Sequence, residues 1–471
     1  MTFDFIVVVA IGVACFGASF GIICLISRSR ETRYPLKRLI ETPREALRAL
    51  LVMSAKLACS AHNISGFSSR RIRQDLSQYS PLFRLITIRH NDHVTSATLA
   101  SLSTIHARYR PMIGSMICAP SSTRRAQRIS ADTPLKFHSL GAEKPPTGFR
   151  YQTNQLQQLL YRQIQQDNES GLDTRALLVM QDWCVVGEAY GAGISPTTSL
   201  FGWSLTKSAI ALLMGRMETL GLVDRHASGL FDAWSGDSRS MITLHNLLQM
   251  SDGLQFCEDY RLGSDVSRML FGRTPCSRYA LERPLQHTPG THFSYSSGST
   301  NLLARWIHER LGGTERVLHF LRKEFTEPLD TPSILIELDD DGVLVGSSYG
   351  YGTARDWARM GQLYAASGAL AATHRETPFI DPHWISQAVQ PNISKNDIRY
   401  GYQIWLNCLG RKQSSNQYPC LPEDSFFMLG NREQKVMVAP SQGAVIVRLG
   451  WSATPYPVEN RFGEILEAIP D

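Results

Sequence analysis

The chain has 471 residues, of which 43% are hydrophobic and 19% charged, a composition typical of a packed globular protein and not of a disordered one. The formal net charge of +6 arises mainly from basic residues in three flanking stretches, 28–48, 70–73 and 124–136. No interleaved aromatic and basic pattern and no zinc-type spacing occurs, so no nucleic acid, metal or cofactor is expected as a partner.

The first segment of the chain carries no charged side chain from Phe5 to Ser27, which is long enough to cross a bilayer once. We therefore predict a transmembrane anchor over residues 1–30 that attaches the protein to the inner membrane as a single-pass protein. A cleaved signal peptide and a lipid on Cys15 are the alternatives. Basic residues follow this segment and none precedes it, which by the positive-inside rule places the remainder of the chain in the cytoplasm.

The cysteines point to the opposite side of the membrane. Cys257 and Cys276 bracket one polar loop, and Cys408 and Cys420 bracket another. This spacing is typical of disulfides in an oxidising compartment, with buried free thiols as the alternative.

Residues 39–60 carry apolar side chains at helical spacing, with Pro43 as a helix-start signal. Three short strand patterns follow within residues 82–109. Together they predict a small α+β region over residues 31–118, and the Ser-, Arg- and Pro-containing stretch 119–148 predicts a linker.

The rest of the chain, 149–471, begins and ends with strand patterns. A Gln-rich helix precedes a hairpin over residues 176–190, and a second hairpin over 434–449 precedes a final helix near 458–469. The long stretch between the hairpins has mostly helical patterns. The predicted fold class is therefore α+β, with one antiparallel sheet built from both ends of this region, flanking helices and a helical insert.

A candidate nucleophile lies at the start of the most apolar helix, which runs to Gly221. Ser204 occupies the helix N-terminus, where the helix dipole and free N–H groups favour negative charge. Lys207 lies on the same helical face, and burial there disfavours its charged form, so its amine can accept the serine proton. The S-x-x-K spacing alone is common, but its place at the start of a buried helix is the setting that serine hydrolases of this type require.

A second motif precedes another predicted helix. Tyr295 follows the turn Pro289-Gly290 and matches a Y-x-[NS] pattern, which predicts that its phenol relays a proton between the serine and the leaving group. An interface tyrosine is the alternative. A Ser-His-Asp hydrolase is disfavoured because no G-x-S-x-G elbow occurs in the sequence.

Six stretches, in order, resemble the serine β-lactamase-related family, which contains class C β-lactamases, penicillin-binding DD-peptidases, family VIII esterases and 6-aminohexanoate-dimer hydrolases. The resemblance covers about residues 150–465. The stretches are WSLTKS, ITLHNLLQMSDGL, PGTHFSYSSGSTNLLARWI, YGTARDWARMGQLY, YGYQIWLN and PSQGAVIVRLG. Two upstream stretches, KLACSAHNISG and HARYRPMIGSMIC, resemble membrane-anchored or exported members.

The resemblance implies a β-lactamase/transpeptidase-like fold with Ser204 as the acyl-enzyme nucleophile, Lys207 as its partner and Tyr295 in the proton relay. The third motif of the family, usually K-T-G or H-x-G, reads Met428-Leu429-Gly430 here. The backbone N–H of Asn431 would then join that of Ser204 in the oxyanion hole. Ser297 and Gly430 complete the predicted substrate-binding residues.

The substitution at the third motif bears on the substrate. Met428 cannot supply the cation that binds the carboxylate of penicillins, unless Arg432 replaces it. We therefore expect hydrolysis of a small amide or ester that is less anionic than a β-lactam. The alternative is a catalytically inactive or weak penicillin-binding-like envelope module that binds peptidoglycan-type peptides.

The resemblance to exported members also bears on location. It favours a periplasmic catalytic domain, with the cytoplasmic orientation as the alternative. In the periplasm at least one of the pairs Cys59–Cys118, Cys257–Cys276 and Cys408–Cys420 is expected to form a disulfide. Cys184 is expected to stay unpaired.

Overall fold

The computed structural model describes residues 43–100, 103–118, 154–261, 263–370, 378–408 and 416–469. The predicted membrane anchor and the predicted linker both lie outside these ranges. Within them, no helix combines the length and the hydropathy that crossing a membrane requires. The anchor therefore stays a prediction from the sequence.

The N-terminal unit, residues 43–118, contains two helices and a four-stranded antiparallel sheet with its strands in chain order. Helix α1 buries Leu51, Ala55 and Cys59 completely, at helical spacing. The fourth strand was not predicted from the sequence. The elements are α1 (Pro43–Asn63), α2 (Ser69–Ser77), β1 (Ile86–Asn91), β2 (Val94–Leu99), β3 (Ser103–Arg110) and β4 (Gly114–Ile117).

The central sheet has six strands, all antiparallel to their neighbours. The strands are β5 (Thr174–Gln181), β6 (Cys184–Tyr190), β10 (Trp405–Leu406), β11 (Phe426–Gly430), β12 (Gln434–Ala439) and β13 (Ala444–Gly450). Their order across the sheet is β10-β11-β12-β13-β5-β6. Because β13 pairs with β5, the two predicted hairpins join in one sheet, and that prediction is confirmed.

Helices cover both faces of this sheet. Leu177 and Val179 of β5 face the layer formed by α3 (Asn154–Glu169) and α12 (Val458–Ala468). Leu178, between them, belongs to the larger core on the opposite face, as the two-residue period of a strand requires. Both faces are therefore buried, which accounts for the continuous apolar runs in the sequence.

Helices are the main regular secondary structure of the region between β6 and β10, although loops make up much of it. Its helices are α4 (Leu205–Thr219), α5 (Leu244–Leu248), α6 (Asp265–Phe271), α7 (Cys276–Leu281), α8 (Ser297–Leu311), α9 (Thr314–Phe320), α10 (Ala354–Ala365) and α11 (Pro382–Ala388). A small antiparallel sheet that the sequence did not predict lies among them, in the order β7-β9-β8. It comprises β7 (Leu200–Trp203), β8 (Leu335–Ile336) and β9 (Gly350–Gly352), and β7 leads directly into α4.

All seven cysteines of the described residues are free thiols. The predicted disulfides Cys59–Cys118, Cys257–Cys276 and Cys408–Cys420 are therefore wrong, and Cys184 is unpaired as expected. Cys276 is buried, and its thiol donates a hydrogen bond to the Met269 carbonyl oxygen at 3.2 Å. Cys59 is also buried, and its thiol donates to the Ala107 carbonyl oxygen at 3.6 Å. The loop spacing wrongly indicated disulfides because a free cysteine can be buried in a core as a small hydrophobic residue, without a disulfide partner.

A buried ion pair connects the N-terminal unit to the helical region. Lys56 Nζ lies 2.7 Å from Glu337 Oε2, and both side chains are almost completely buried. Glu337 Oε1 accepts further hydrogen bonds from Ser60 Oγ at 2.8 Å and from the Ser115 backbone N–H at 2.5 Å. The carboxylate is thus the common acceptor of three donors, two from α1 and one from β4.

Lys56→Met is expected to lower the free energy of unfolding by about 3–5 kcal/mol, because it leaves a buried carboxylate without its counter-ion. Urea titration followed by circular dichroism measures the change. The control is Lys323→Met, which removes the exposed pair with Glu327 and should cost less than about 0.5 kcal/mol. Equal losses in the two variants would contradict the stabilising role assigned to the buried pair.

Candidate active site

Ser204 lies at the junction of β7 and α4, in the N-cap position of the helix. Its side chain makes no capping hydrogen bond, so the hydroxyl is not engaged by the backbone N–H groups of its own helix. The preceding residue, Trp203, has a φ of 49°, a left-handed conformation that non-glycine residues rarely adopt. The turn therefore holds Ser204 at the helix N-terminus, where a developing oxyanion is favoured.

Lys207 follows one helical turn later and is only 1% exposed. Its Nζ has three oxygen neighbours: Ser204 Oγ at 2.9 Å, Ser297 Oγ at 3.0 Å and the Ser347 carbonyl oxygen at 2.8 Å. Burial lowers the pKa of Lys207 to about 8, against the opposing negative charge of Glu258. A substantial fraction of the amine is therefore neutral near physiological pH.

Tyr295 lies beside Ser204 and Lys207. Its ring stacks on Trp405 with a centroid separation of 5.4 Å, and Lys207 Nζ lies 5.0 Å from the ring centroid. Burial and then the charge of Glu258 raise the pKa of Tyr295, while a hydrogen bond with Ser204 lowers it. The structure thus brings together the three side chains that the two sequence motifs predicted.

Glu258 is the site residue that the sequence analysis missed. Its two carboxylate oxygens accept hydrogen bonds from Ser297, one from the hydroxyl at 2.6 Å and one from the backbone N–H at 2.7 Å. Burial raises the pKa of Glu258, and the charge of Lys207 lowers it. The only signal in the sequence is its place four residues after the family-like stretch that ends at Leu254.

Ser297 opens α8 and is completely buried. Its hydroxyl is engaged by Lys207 on one side and by Glu258 on the other. This arrangement favours a role in orienting Lys207 over the direct substrate contact predicted from the sequence.

The end of β11 lies against the strand that carries the serine. A Cβ on Gly430 would come within 2.3 Å of the Gly202 carbonyl oxygen, so only glycine permits this approach. Asn431 follows at the turn after β11. The predicted oxyanion residues are therefore on segments in direct contact.

The residues of the third motif carry no ammonium group, and Lys435, opposite Leu429 in the sheet, is paired with Glu433 at 3.0 Å. Met428 is 1% exposed and forms part of the main core. Arg432, considered as a substitute cation, is 5% exposed, and its guanidinium carbon lies 3.7 Å from the ring centroid of Tyr79. Its charge is therefore engaged by an aromatic face inside the protein.

Histidine, cysteine and acidic side chains form no cluster of three or more suited to a metal ion in the described part of the chain. The arrangement around Ser204 instead comprises a hydroxyl, a partly neutral amine, a phenol and a buried carboxylate. Groups of these kinds can together carry out nucleophilic catalysis with internal proton transfer.

Comparisons with known proteins identify a family and a fold for this chain. The beta-lactamase family model matches residues 162–463. A putative 6-aminohexanoate-dimer hydrolase from Bacillus anthracis is 18% identical, with a TM-score of 0.53 over 65% of this chain and 83% of that one. EstCE1, a hydrolase with promiscuous acyltransferase activity, is 13% identical, with a TM-score of 0.51 over 67% of this chain and 98% of that one.

The octameric penicillin-binding protein homologue from Pyrococcus abyssi is 16% identical, with a TM-score of 0.50 over 66% of this chain and 77% of that one. At these identities the structural likeness concerns the fold. No curated protein matches the sequence significantly.

Proposed function

Because the chain belongs to the beta-lactamase family, whose members include serine hydrolases, we propose that it cleaves an amide or an ester through an acyl-enzyme formed on Ser204. The observation that carries this proposal is the 2.9 Å contact between Lys207 Nζ and Ser204 Oγ in a buried site. A serine beside a partly neutral lysine is an activated nucleophile.

The hydrogen bonds around Lys207 determine which group can transfer a proton to it. The Ser347 carbonyl oxygen can only accept, and the Ser297 hydroxyl directs its proton to the Glu258 carboxylate, so it also accepts from Nζ. Protonated Lys207 can donate to all three neighbours. Once neutral, it retains two N–H groups for these two acceptors, and its lone pair remains for the Ser204 hydroxyl.

In the proposed acylation, Lys207 takes the proton of Ser204 Oγ as this oxygen attacks the acyl carbon. The N–H groups of Ser204 and Asn431 hold the resulting oxyanion. Tyr295 gives its proton to the leaving amine or alcohol as the acyl bond breaks, and recovers a proton from Lys207. Water then attacks the acyl-enzyme and gives its proton to the same groups, which return a proton to Ser204 Oγ as the acid product leaves.

The charges at the site favour an uncharged acyl substrate. Met428 supplies no cation, Arg432 is engaged by Tyr79, and Glu258 adds a buried negative charge beside Lys207. A substrate carboxylate would therefore be repelled or left unpaired. Two structural relatives, a putative 6-aminohexanoate-dimer hydrolase and a hydrolase with promiscuous acyltransferase activity, support acyl chemistry at this site but do not bear on the charge of the substrate.

A fluorophosphonate probe tests the proposal, because it reacts only with an activated serine. We expect labelling of the native protein, no labelling of Ser204→Ala, turnover of p-nitrophenyl esters and little hydrolysis of nitrocefin. A folded native protein that is neither labelled nor active on esters, nitrocefin or D-alanyl peptides would instead support the non-catalytic binding module.

Glu258→Gln is expected to move the acid limb of the pH profile of kcat/KM to lower pH. Activity rises as Lys207 loses its proton, with a pKa of about 8 in the native protein, and the charge of Glu258 raises that pKa. Removing the charge therefore lowers it. The maximal rate should fall about three- to tenfold, since Ser297 loses one acceptor worth about 1 kcal/mol.

The control for this profile is Asp259→Asn, which removes a neighbouring charge that pairs with Arg261. Its acid limb should coincide with that of the native enzyme. An unshifted limb in Glu258→Gln would show that this carboxylate does not influence the titrating group.

Membrane attachment and a periplasmic location are also proposals. They rest on the uncharged segment 5–27 and on the likeness of two upstream stretches to exported proteins. Because the cysteines are free thiols, disulfides do not support the periplasmic location. The basic residues after the segment, which favour the cytoplasm, are therefore the stronger argument against it. Labelling of exposed Cys118 and Cys420 by an impermeant maleimide in spheroplasts would indicate the periplasm, and labelling only after lysis the cytoplasm.

A further inference from the structure

The N-terminal unit reaches the catalytic body at a second place besides the Lys56–Glu337 pair. Asp75 at the end of α2 forms a buried ion pair with Arg175 of β5 at 2.6 Å. The backbone oxygen of Asp75 also accepts a hydrogen bond from Trp451 Nε1 at 3.0 Å. These bonds hold the end of α2 next to β5 and next to the residue that follows β13.

Tyr79 lies two residues after α2 and is 2% exposed. Its ring meets Trp203 edge-on at 6.3 Å and Trp451 edge-on at 5.7 Å. The guanidinium carbon of Arg432 lies 3.7 Å from the same ring. Burial raises the pKa of Tyr79 to about 12, so the ring is a neutral phenol against which a cation stacks favourably.

Two of the residues that contact the Tyr79 ring, Trp203 and Arg432, have a left-handed backbone conformation. Trp203, with φ 49°, directly precedes Ser204, and Arg432, with φ 61°, directly follows Asn431. Left-handed backbone at such residues costs on the order of 1–2 kcal/mol each and persists only where surrounding contacts impose it. Both residues adjoin an amide assigned to the oxyanion hole.

We propose that Tyr79 of the N-terminal unit is a positioning residue for the oxyanion hole, holding the Trp203 and Arg432 side chains so that the N–H groups of Ser204 and Asn431 converge. The inference rests on the proposed function, which assigns those two amides. It makes residues 43–118, which precede the matched family region, part of the catalytic apparatus.

The contact with Arg432 is the one on which Asn431 depends most. Gln434 Nε2 binds the carbonyl oxygen of Asn431 at 3.1 Å and that of Arg432 at 3.3 Å, which holds the acceptor side of the turn. The Arg432 side chain, stacked on Tyr79, holds the turn from the other side. Loss of the Tyr79 ring would leave the Arg432 guanidinium only its more distant aromatic contact, 6.0 Å from the Trp451 ring centroid, and so allow the turn to relax from its left-handed conformation.

The test compares Tyr79→Leu, Tyr79→Phe and a control, Leu76→Ala, which creates a cavity at a 2% exposed position three residues earlier. The measurements are kcat and KM for a p-nitrophenyl ester and the inhibition constant of phenylboronic acid. Its tetrahedral adduct with Ser204 places an oxygen in the oxyanion hole. All are taken at a temperature where circular dichroism shows each variant folded.

Tyr79→Leu should lower kcat about 10- to 100-fold, part of the effect of deleting one oxyanion donor. It should raise the inhibition constant of phenylboronic acid by a similar factor, and KM should change less than about threefold. Tyr79→Phe, which retains the ring, should recover most of both losses. Leu76→Ala should lose stability with kcat within about threefold of the native enzyme.

Arg432→Met tests the same contact from the other side and serves if Tyr79→Leu does not fold. It should reproduce the losses in kcat and boronate affinity, and the double variant should be no worse than either single one. A Tyr79→Leu enzyme that matches Leu76→Ala in kcat, or keeps full boronate affinity, overturns the inference. If the native protein shows no Ser204-dependent turnover, it is the proposed function that fails instead.

Discussion

Ser204→Ala is expected to lower kcat by about four to six orders of magnitude, because the covalent route through the acyl-enzyme no longer exists. Folding should be nearly unaffected. The Ser204 hydroxyl makes no capping bond in α4, and Lys207 Nζ, which donates to it, keeps Ser297 Oγ and the Ser347 carbonyl oxygen as acceptors. Purified protein assayed on p-nitrophenyl esters, with thermal unfolding as the check on folding, measures both effects.

The matched control is Ser208→Ala, one helical turn later. Ser208 is also buried, and its hydroxyl binds the Gln403 carbonyl oxygen at 2.7 Å. This variant should lose stability by about 1–3 kcal/mol, because a buried acceptor loses its partner, but should keep most of its activity. Substantial hydrolysis by Ser204→Ala, at more than about one hundredth of the native rate, would contradict the nucleophile assignment.

Lys207→Met is the second large loss we expect. It preserves the volume of the buried side chain but removes the base, which should lower kcat by about three to four orders of magnitude. It also leaves Glu258 without a counter-ion, so this carboxylate should bind a proton up to a higher pH than in the native protein. Single-turnover acylation by a chromogenic ester measures the rate of the first step directly.

Adding Glu258→Gln to Lys207→Met should restore stability without restoring turnover, because it removes the unpaired buried charge but supplies no base. Adding Tyr295→Phe should reduce the residual rate by far less than it does in the native background, since groups that act as a unit are not additive. Multiplicative losses would show that Lys207 and Tyr295 do not share one proton path.

Local patterns in the sequence determined the parts of the fold whose partners are near in the chain. The apolar hairpins over 176–190 and 434–449 follow from turn residues between strand patterns, and α4 follows from its apolar run. The spacing of Ser204 and Lys207 predicted their contact, because residues three apart share a helical face. The resemblance of the motifs extended this to Tyr295.

Tertiary structure alone decided the groups that complete the site. Lys207 meets Ser297, 90 residues away, and the Ser347 carbonyl oxygen, 140 residues away. Glu258 and Tyr79 reach the site from segments with no catalytic motif, and the cysteines stayed apart although their loop spacing favoured disulfides. Periodicity and turn chemistry act over a few residues, whereas these contacts depend on how distant helices and strands pack, which no local pattern records.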